Sequence, residues 1–182
     1  IGAWAFARRM EAKIDTGEAV FRRVDVEIDD LASVATRAQV AAWGEPGKWR
    51  EILAQLSREL ELARRHGFRQ REIDDARREL LARAEGDAAR EATLPTADLA
   101  REIADALAAG KPFPSARQRA NLLASLLPTI GPDEVSRAFA QRFSAAAAAY
   151  VVAIPTGLEN APHSPEKVIA IGKGAVGGEL AP

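Results

Sequence analysis

The spacing of apolar residues along the chain changes near residue 46, from every second position to every third or fourth. Before that point, segments 1–7, 20–28 and 31–43 alternate apolar with small or polar residues, which predicts three strands. Alanine is a poor strand former, so the third strand depends mainly on Val34, Thr36, Val40 and Trp43. Residues 10–30 give the weakest pattern of this part.

From Pro46 onward the apolar residues recur at helical spacing and predict five successive helices. Each has a recognisable start or stop residue. The first begins near Pro46 and stops at Gly67, and the second covers about 70–91. The third is capped by Thr96 and ends at Gly110. The fourth opens with a Ser115–Gln118 capping box and stops before Pro128, and the fifth opens at Pro132.

Residues 150–154 return to a continuous apolar run, which predicts a buried strand that ends at Pro155. Strands, a block of helices and a returning strand are typical of an α+β two-layer sandwich, with an antiparallel sheet covered by about five helices. We therefore predict a folded unit over residues 1–155. Residues 156–182, rich in Pro and Gly at first, are predicted to be a linker or a partly disordered tail, with the start of another element in residues 166–182 as the alternative.

Composition and charge narrow the class of protein. The 182 residues carry 25 Lys+Arg and 26 Asp+Glu and are 47% hydrophobic, as expected for one globular domain. Acidic residues accompany the basic ones throughout, so the sequence predicts no nucleic-acid-binding face. The longest apolar stretch, 145–154, is about half of what a bilayer span requires.

The absence of cysteine from the sequence excludes disulfides, thiolate metal sites and cysteine nucleophiles. Ile1 is preceded by no Met and followed by no secretion signal, and the last residues are rich in glycine. We read these ends as those of a piece taken from a longer protein.

A GxGxxG pattern occurs at Gly172, Gly174 and Gly177, after the strand-like residues 167–171. A dinucleotide site needs a helix directly after these glycines and an acidic residue about twenty positions further on. Five residues remain after Gly177, and Lys173 lacks the following Ser or Thr of a phosphate-binding loop. The pattern therefore favours a flexible glycine-rich tail over a nucleotide-binding domain.

The second short motif is HxxE at His163 and Glu166, with Lys167 where zinc peptidases of the HxxEH type carry a second histidine. A zinc site needs both imidazoles on one helix face, and Pro165 falls in a loop-like stretch. His66 is the only other histidine, and its position at a predicted helix end is explained by the helix dipole.

The seven serines and the paired acidic residues all have structural explanations as caps, turns or helix residues. The serines are Ser33, Ser57, Ser115, Ser125, Ser136, Ser144 and Ser164, and the acidic pairs are Asp29/Asp30, Asp74/Asp75 and Asp133/Glu134. We nominate no catalytic, cofactor-binding or metal-binding residue in this chain.

Six blocks of sequence, taken in order, resemble the pitrilysin/insulinase family of zinc peptidases over residues 43–154. They are WREIL (49–53), RRHGF (64–68), EIDDARREL (72–80), LAREI (99–103), LPTIGPDEV (127–135) and YVV (150–152). The Gly67-Phe68 break between two helices is the most telling feature. Arg69 stands where the family usually has Thr, which predicts a weaker helix cap.

The resemblance implies two-layer α/β modules whose repeated halves close around a peptide. This chain would be the second portion of one module, and the zinc site HxxEH, with its bound zinc, would lie in a preceding portion. We therefore expect a non-catalytic subdomain of a zinc endopeptidase, inactive and free of zinc and other cofactors on its own, that contributes to the peptide-binding chamber and to module packing. The alternative is a scaffold module whose whole protein has lost catalysis, as in some relatives in respiratory complexes.

Partners and location follow from the same resemblance. The implied partners are a peptide or protein substrate of the longer protein and its sibling peptidase modules, together with homodimerisation in vitro through exposed apolar surface. A bacterial periplasmic location agrees with the family, although no residue of this chain indicates a compartment.

Overall fold

Seven α-helices and one β-hairpin make up the described part of the chain, which is an α+β fold. The computed structural model describes residues 1–31, 35–93, 95–144, 148–157 and 164–177. The elements are α1 (Gly2–Asp15), β1 (Arg23–Leu31), β2 (Ala35–Trp43), α2 (Trp49–His66), α3 (Gln70–Arg90), α4 (Thr96–Ala108), α5 (Ala116–Leu126), α6 (Pro132–Arg142) and α7 (Pro165–Gly177).

The first predicted strand is wrong, because residues 2–15 form helix α1. Phe6 and Met10, one helical turn apart, are both fully buried. The alternation of residues 1–7 comes mainly from alanine, the strongest helix former, and the hydrophobic core selects one face of a helix.

The other two predicted strands are present and form an antiparallel hairpin. Leu31 belongs to β1, so the second of them begins at Ala35 and not at residue 31, and Val34 lies outside the described residues. Val24 pairs with Ala42 and Val26 pairs with Val40, and these residues pack partly buried against the core. On β1 charged residues alternate with these apolar positions, and on β2 the polar residues Arg37 and Gln39 do so, as expected for a sheet with one face covered. The hairpin contacts α1 and α2 and thereby forms the β layer of the fold.

The five helices predicted after residue 46 are confirmed as α2 to α6. Gly67 ends α2 with a φ of 67°, and Pro132 is the first residue of α6. At the start of α5 the Gln118 backbone N–H donates to the Ser115 hydroxyl at 3.1 Å, and the Ser115 N–H donates to the Gln118 side chain at 2.9 Å. Thr96 is not a cap, because Pro95 holds the N-cap position and Thr96 is the first helical residue.

Two predictions for the C-terminal part are wrong. Residues 165–177 form helix α7, which packs against α2, so residues 167–171 are not a strand, and Gly172, Gly174 and Gly177 are not in a flexible segment. Residues 150–154 pair with no strand in the described part of the chain, and Val151 is 86% exposed. A run of apolar residues predicts burial of the whole run, but here only alternate residues are partly buried.

The centre of the core is an aromatic cluster around Phe139 of α6. Its ring lies 5.5 Å from the Phe6 ring, 5.0 Å from the Phe68 ring and 4.5 Å from the Phe143 ring, measured between centroids. The Phe68 contact is edge-to-face at 88°, a favoured geometry for aromatic pairs. The cluster joins α1, α6 and the turn between α2 and α3.

We expect Phe139→Ala to destabilise the chain by about 3–5 kcal/mol, because the substitution leaves a cavity between three rings. Urea unfolding followed by circular dichroism measures this difference. Leu107→Ala is the control: Leu107 is 72% exposed on α4, so its change should stay within about 0.5 kcal/mol. Equal stability losses in the two variants would contradict the central position of Phe139.

Candidate functional site

The three glycines of the GxGxxG pattern lie within helix α7 and not before a helix. Their backbone N–H groups are therefore placed inside a helix instead of in the open turn that a pyrophosphate needs. Gly172 has a packing role: a Cβ at this position would lie 2.3 Å from Cε1 of Tyr150. Glycine allows the Tyr150 ring to lie directly against the helix backbone.

The residues of the HxxE motif divide between a helix and an undescribed segment. His163 lies outside the described residues, while Glu166 and Lys167 are in the first turn of α7. The backbone N–H of Glu166 itself, and then the Ser164 hydroxyl, lower the pKa of the Glu166 carboxyl. His66 is exposed at the C-terminal end of α2, as its sequence position predicted.

A search for three or more His, Asp or Glu side chains grouped around a metal-sized space finds none in the described ranges. The acidic pair in α3 serves ion pairs instead: Asp74 binds Arg77 at 2.7 Å and Asp75 binds Arg78. Ser115 is the cap described above. No sequence candidate is therefore brought into a catalytic arrangement with another one among the described residues.

A groove of about 390 Å³ lies between α1 and α3 and is lined by three cationic side chains. Arg9 binds Glu72 at 2.8 Å, Lys13 binds Glu59 at 3.1 Å, and Arg8 binds Glu79 and Glu11. Each cation thus has a carboxylate partner from within the chain. The groove is a network of ion pairs that fastens α1 to the helices behind it, and it lacks the uncompensated charge of an anion site.

Glu72 is the central acceptor of this network. Its carboxylate accepts the Arg9 Nε–H at 2.8 Å, a second Arg9 N–H at 2.9 Å and the Arg69 backbone N–H at 2.8 Å. Partial burial alone would raise the pKa of Glu72, but the hydrogen bonds from Arg9 and Arg69 outweigh it and lower the pKa. The Arg69 side chain has no acceptor atom, so only this half of a capping box is present at the start of α3.

The Gly67-Phe68 turn receives contacts from two elements, α1 and α6. Arg9 donates to the Gly67 carbonyl at 2.9 Å and its guanidinium lies 5.0 Å from the Phe68 ring centroid. The Phe68 backbone N–H donates to the Ser136 hydroxyl at 3.0 Å. A Cβ at Gly67 would lie 2.4 Å from that hydroxyl oxygen, so only glycine fits. Sequence reasoning identified the turn but missed Arg9 and Ser136, which are distant along the chain.

A second groove, of about 680 Å³, lies between residues 148–152 and helix α7. Val168 is buried at its base, while Ile169 is 40% exposed and Val151 is 86% exposed on its sides. The lining is mainly apolar and opens to solvent. This groove is larger than the one between α1 and α3.

No known family profile matches the sequence, and no curated protein matches it either. Solved structures do match its fold. The periplasmic protease PqqL from Escherichia coli superposes with a TM-score of 0.74 at 16% identity, over 98% of this chain and 20% of PqqL. A predicted insulinase family protease from Yersinia pestis gives a TM-score of 0.72 at 15% identity, over 94% of this chain and 37% of that one.

The ferredoxin protease FusC, solved in complex with Arabidopsis ferredoxin, matches with a TM-score of 0.60 at 18% identity. That match covers all of this chain and 20% of FusC. The chain thus has a pitrilysin/insulinase-like fold, as the order of its sequence blocks predicted. It spans about a fifth of the length of PqqL and of FusC.

We expect Glu72→Gln to lower the free energy of unfolding at pH 7 by about 1–3 kcal/mol, since the charge-assisted bonds to Arg9 are weakened. Folding lowers the pKa of Glu72 below its ordinary value of 4.5. The extra free energy of unfolding of the wild type over Glu72→Gln is therefore fully present above pH 4.5. It is lost as the pH falls through the lower pKa of the folded state. Urea unfolding of both proteins between pH 7 and pH 3 measures how far their free energies of unfolding approach each other.

Asp87→Asn is the matched control for this pH series. Asp87 pairs with Arg90 at 2.8 Å in an exposed i,i+3 arrangement, which contributes little. A stability difference for Glu72→Gln that stays constant down to pH 3 would contradict the assigned role of its charge.

Proposed function

We propose that this chain is a non-catalytic section of a zinc metallopeptidase of the insulinase type, where it contributes to the wall of a peptide-binding chamber and to packing between modules. The observation that carries the proposal is the fold match over 98% of this chain to about a fifth of a periplasmic protease. A section of that size within a longer protease has packing surfaces toward its neighbours, and the exposed apolar groove beside α7 is one such surface.

The rest of the proposed assembly is assigned by the same likeness. The zinc would be held in another section of the protein, and the substrate would be a peptide or protein. The structure of FusC with plant ferredoxin supports a protein substrate, and the periplasmic PqqL supports a periplasmic location. None of the described helices is long and apolar enough to cross a membrane. The division of the chain at residue 155 and dimerisation in vitro are further parts of the proposal.

Purified chain should neither retain zinc nor hydrolyse peptides. After incubation with one equivalent of zinc and extensive dialysis, metal analysis should give well under about 0.1 zinc per chain, because tight sites need three or more protein ligands. A mixed pool of fluorogenic peptides should show no turnover above a buffer blank. Stoichiometric zinc together with turnover that a chelator abolishes would overturn the non-catalytic assignment.

The gene sequence upstream and downstream of the region that encodes this chain distinguishes the two hypotheses, a section of an active protease and a scaffold that has lost catalysis. An intact HxxEH codon pattern in the same reading frame supports the protease, whereas the same fold with that pattern interrupted supports the scaffold. The two outcomes make opposite predictions for zinc in the full gene product.

A further inference from the structure

Residues 150–154 have the side-chain alternation of a β-strand although they pair with no strand in the described ranges. Tyr150, Val152 and Ile154 are partly buried, while Val151 and Ala153 between them are exposed. Val151, at 86%, is the most exposed large apolar residue of the described chain. A period of two in burial is the pattern of an extended segment that packs one face on its own protein.

Helix α7 holds this segment in place from one side. The Tyr150 ring rests against Gly172, where any Cβ would lie within 2.7 Å of three ring atoms. Beside the segment runs the apolar groove of about 680 Å³, which Val151, Val168 and Ile169 help to line. The segment is therefore anchored on one face, and among the described residues an apolar groove lies open alongside it.

The β1–β2 hairpin offers a contrast within the same chain. Strand β1 carries Asp25, Glu27 and Asp29. Arg37 of β2 lies opposite Asp29, and its guanidinium binds that carboxylate at 2.6 Å. Charges of this kind protect sheet edges from pairing with other chains. Between Arg142 and Glu159 the sequence has no charged residue at all, so the 150–154 segment lacks that protection.

We propose that residues 150–154 accept an uncharged, extended β-strand with alternating apolar side chains, contributed by another section of the same protease. This inference rests on the proposed function. A strand fits because it brings backbone donors and acceptors to the segment together with apolar side chains for the groove. A neighbouring section is the source because PqqL and FusC are each about five times as long as the part that matches this chain, and an unprotected edge of this kind is normally covered.

Amide hydrogen exchange of the full 182-residue chain tests this proposal with a capped peptide, Lys-Thr-Val-Thr-Val-Thr-Val-Lys, as the strand probe. Saturating peptide should slow exchange of the amides in residues 150–154 by about tenfold or more, because strand pairing protects them. The same peptide with its two central residues replaced by proline cannot donate at those positions and should give no protection.

Val151→Lys should weaken peptide binding by about tenfold or more, measured by titration of the same protection. Leu107→Lys replaces a similarly exposed apolar residue on α4 and should leave binding unchanged. Both positions are exposed, so circular dichroism should show both variants folded.

Three results would overturn the proposal: no protection of residues 150–154 at millimolar peptide, protection of the β1–β2 hairpin instead, or equal protection by the proline peptide. In the absence of peptide, residues 150–154 could become protected as the protein concentration rises, with a doubled mass in light scattering. That result would show that a second copy of the chain covers the segment, and it would overturn the occupant proposed here. Zinc-dependent turnover combined with strand protection would leave this inference standing and refute only the proposed function.

Discussion

The close approach of Gly67 to Ser136 is the constraint on which the helical layer depends. Because no side chain fits at Gly67, the turn between α2 and α3 can lie directly on α6, and the Ser136 hydroxyl can accept the Phe68 N–H. Phe68 then reaches the Phe139 ring, and Arg9 completes the arrangement from α1. A single glycine thus sets the geometry of four helices. The Gly-Phe pair that carries the sequence resemblance is explained by packing and needs no catalytic role.

The parts of the fold that could be predicted from sequence are those whose signals are local. The helix ends at Gly67, Ser115 and Pro132 depend on residues within a few positions, and they were predicted correctly. Helix α1 was missed because its alanine-rich start has no cap residue and its helical character becomes clear only from the burial of Phe6 and Met10. Tertiary contacts decide which face of such an ambiguous segment is buried.

The same reasoning explains what sequence could say about the site. It excluded a nucleotide loop at Gly172 and a zinc site at His163 on the chemistry that each would need. It could not find the Arg9–Glu72 pair, because the two residues are 63 positions apart and each has nearer charged neighbours. Long-range ion pairs leave no spacing signal, whereas pairs such as Asp74 with Arg77 follow from helix periodicity.

Helix α4 differs from the other helices in that it buries none of its described residues, although its apolar positions are spaced as a stripe. Its order therefore comes from its own backbone hydrogen bonds and from the turn at Gly110, where φ is 63°. A helix held in this way opens at little cost to the core. Substitutions on α4 should therefore cost little stability, so its surface can carry different side chains while the aromatic centre around Phe139 stays the same.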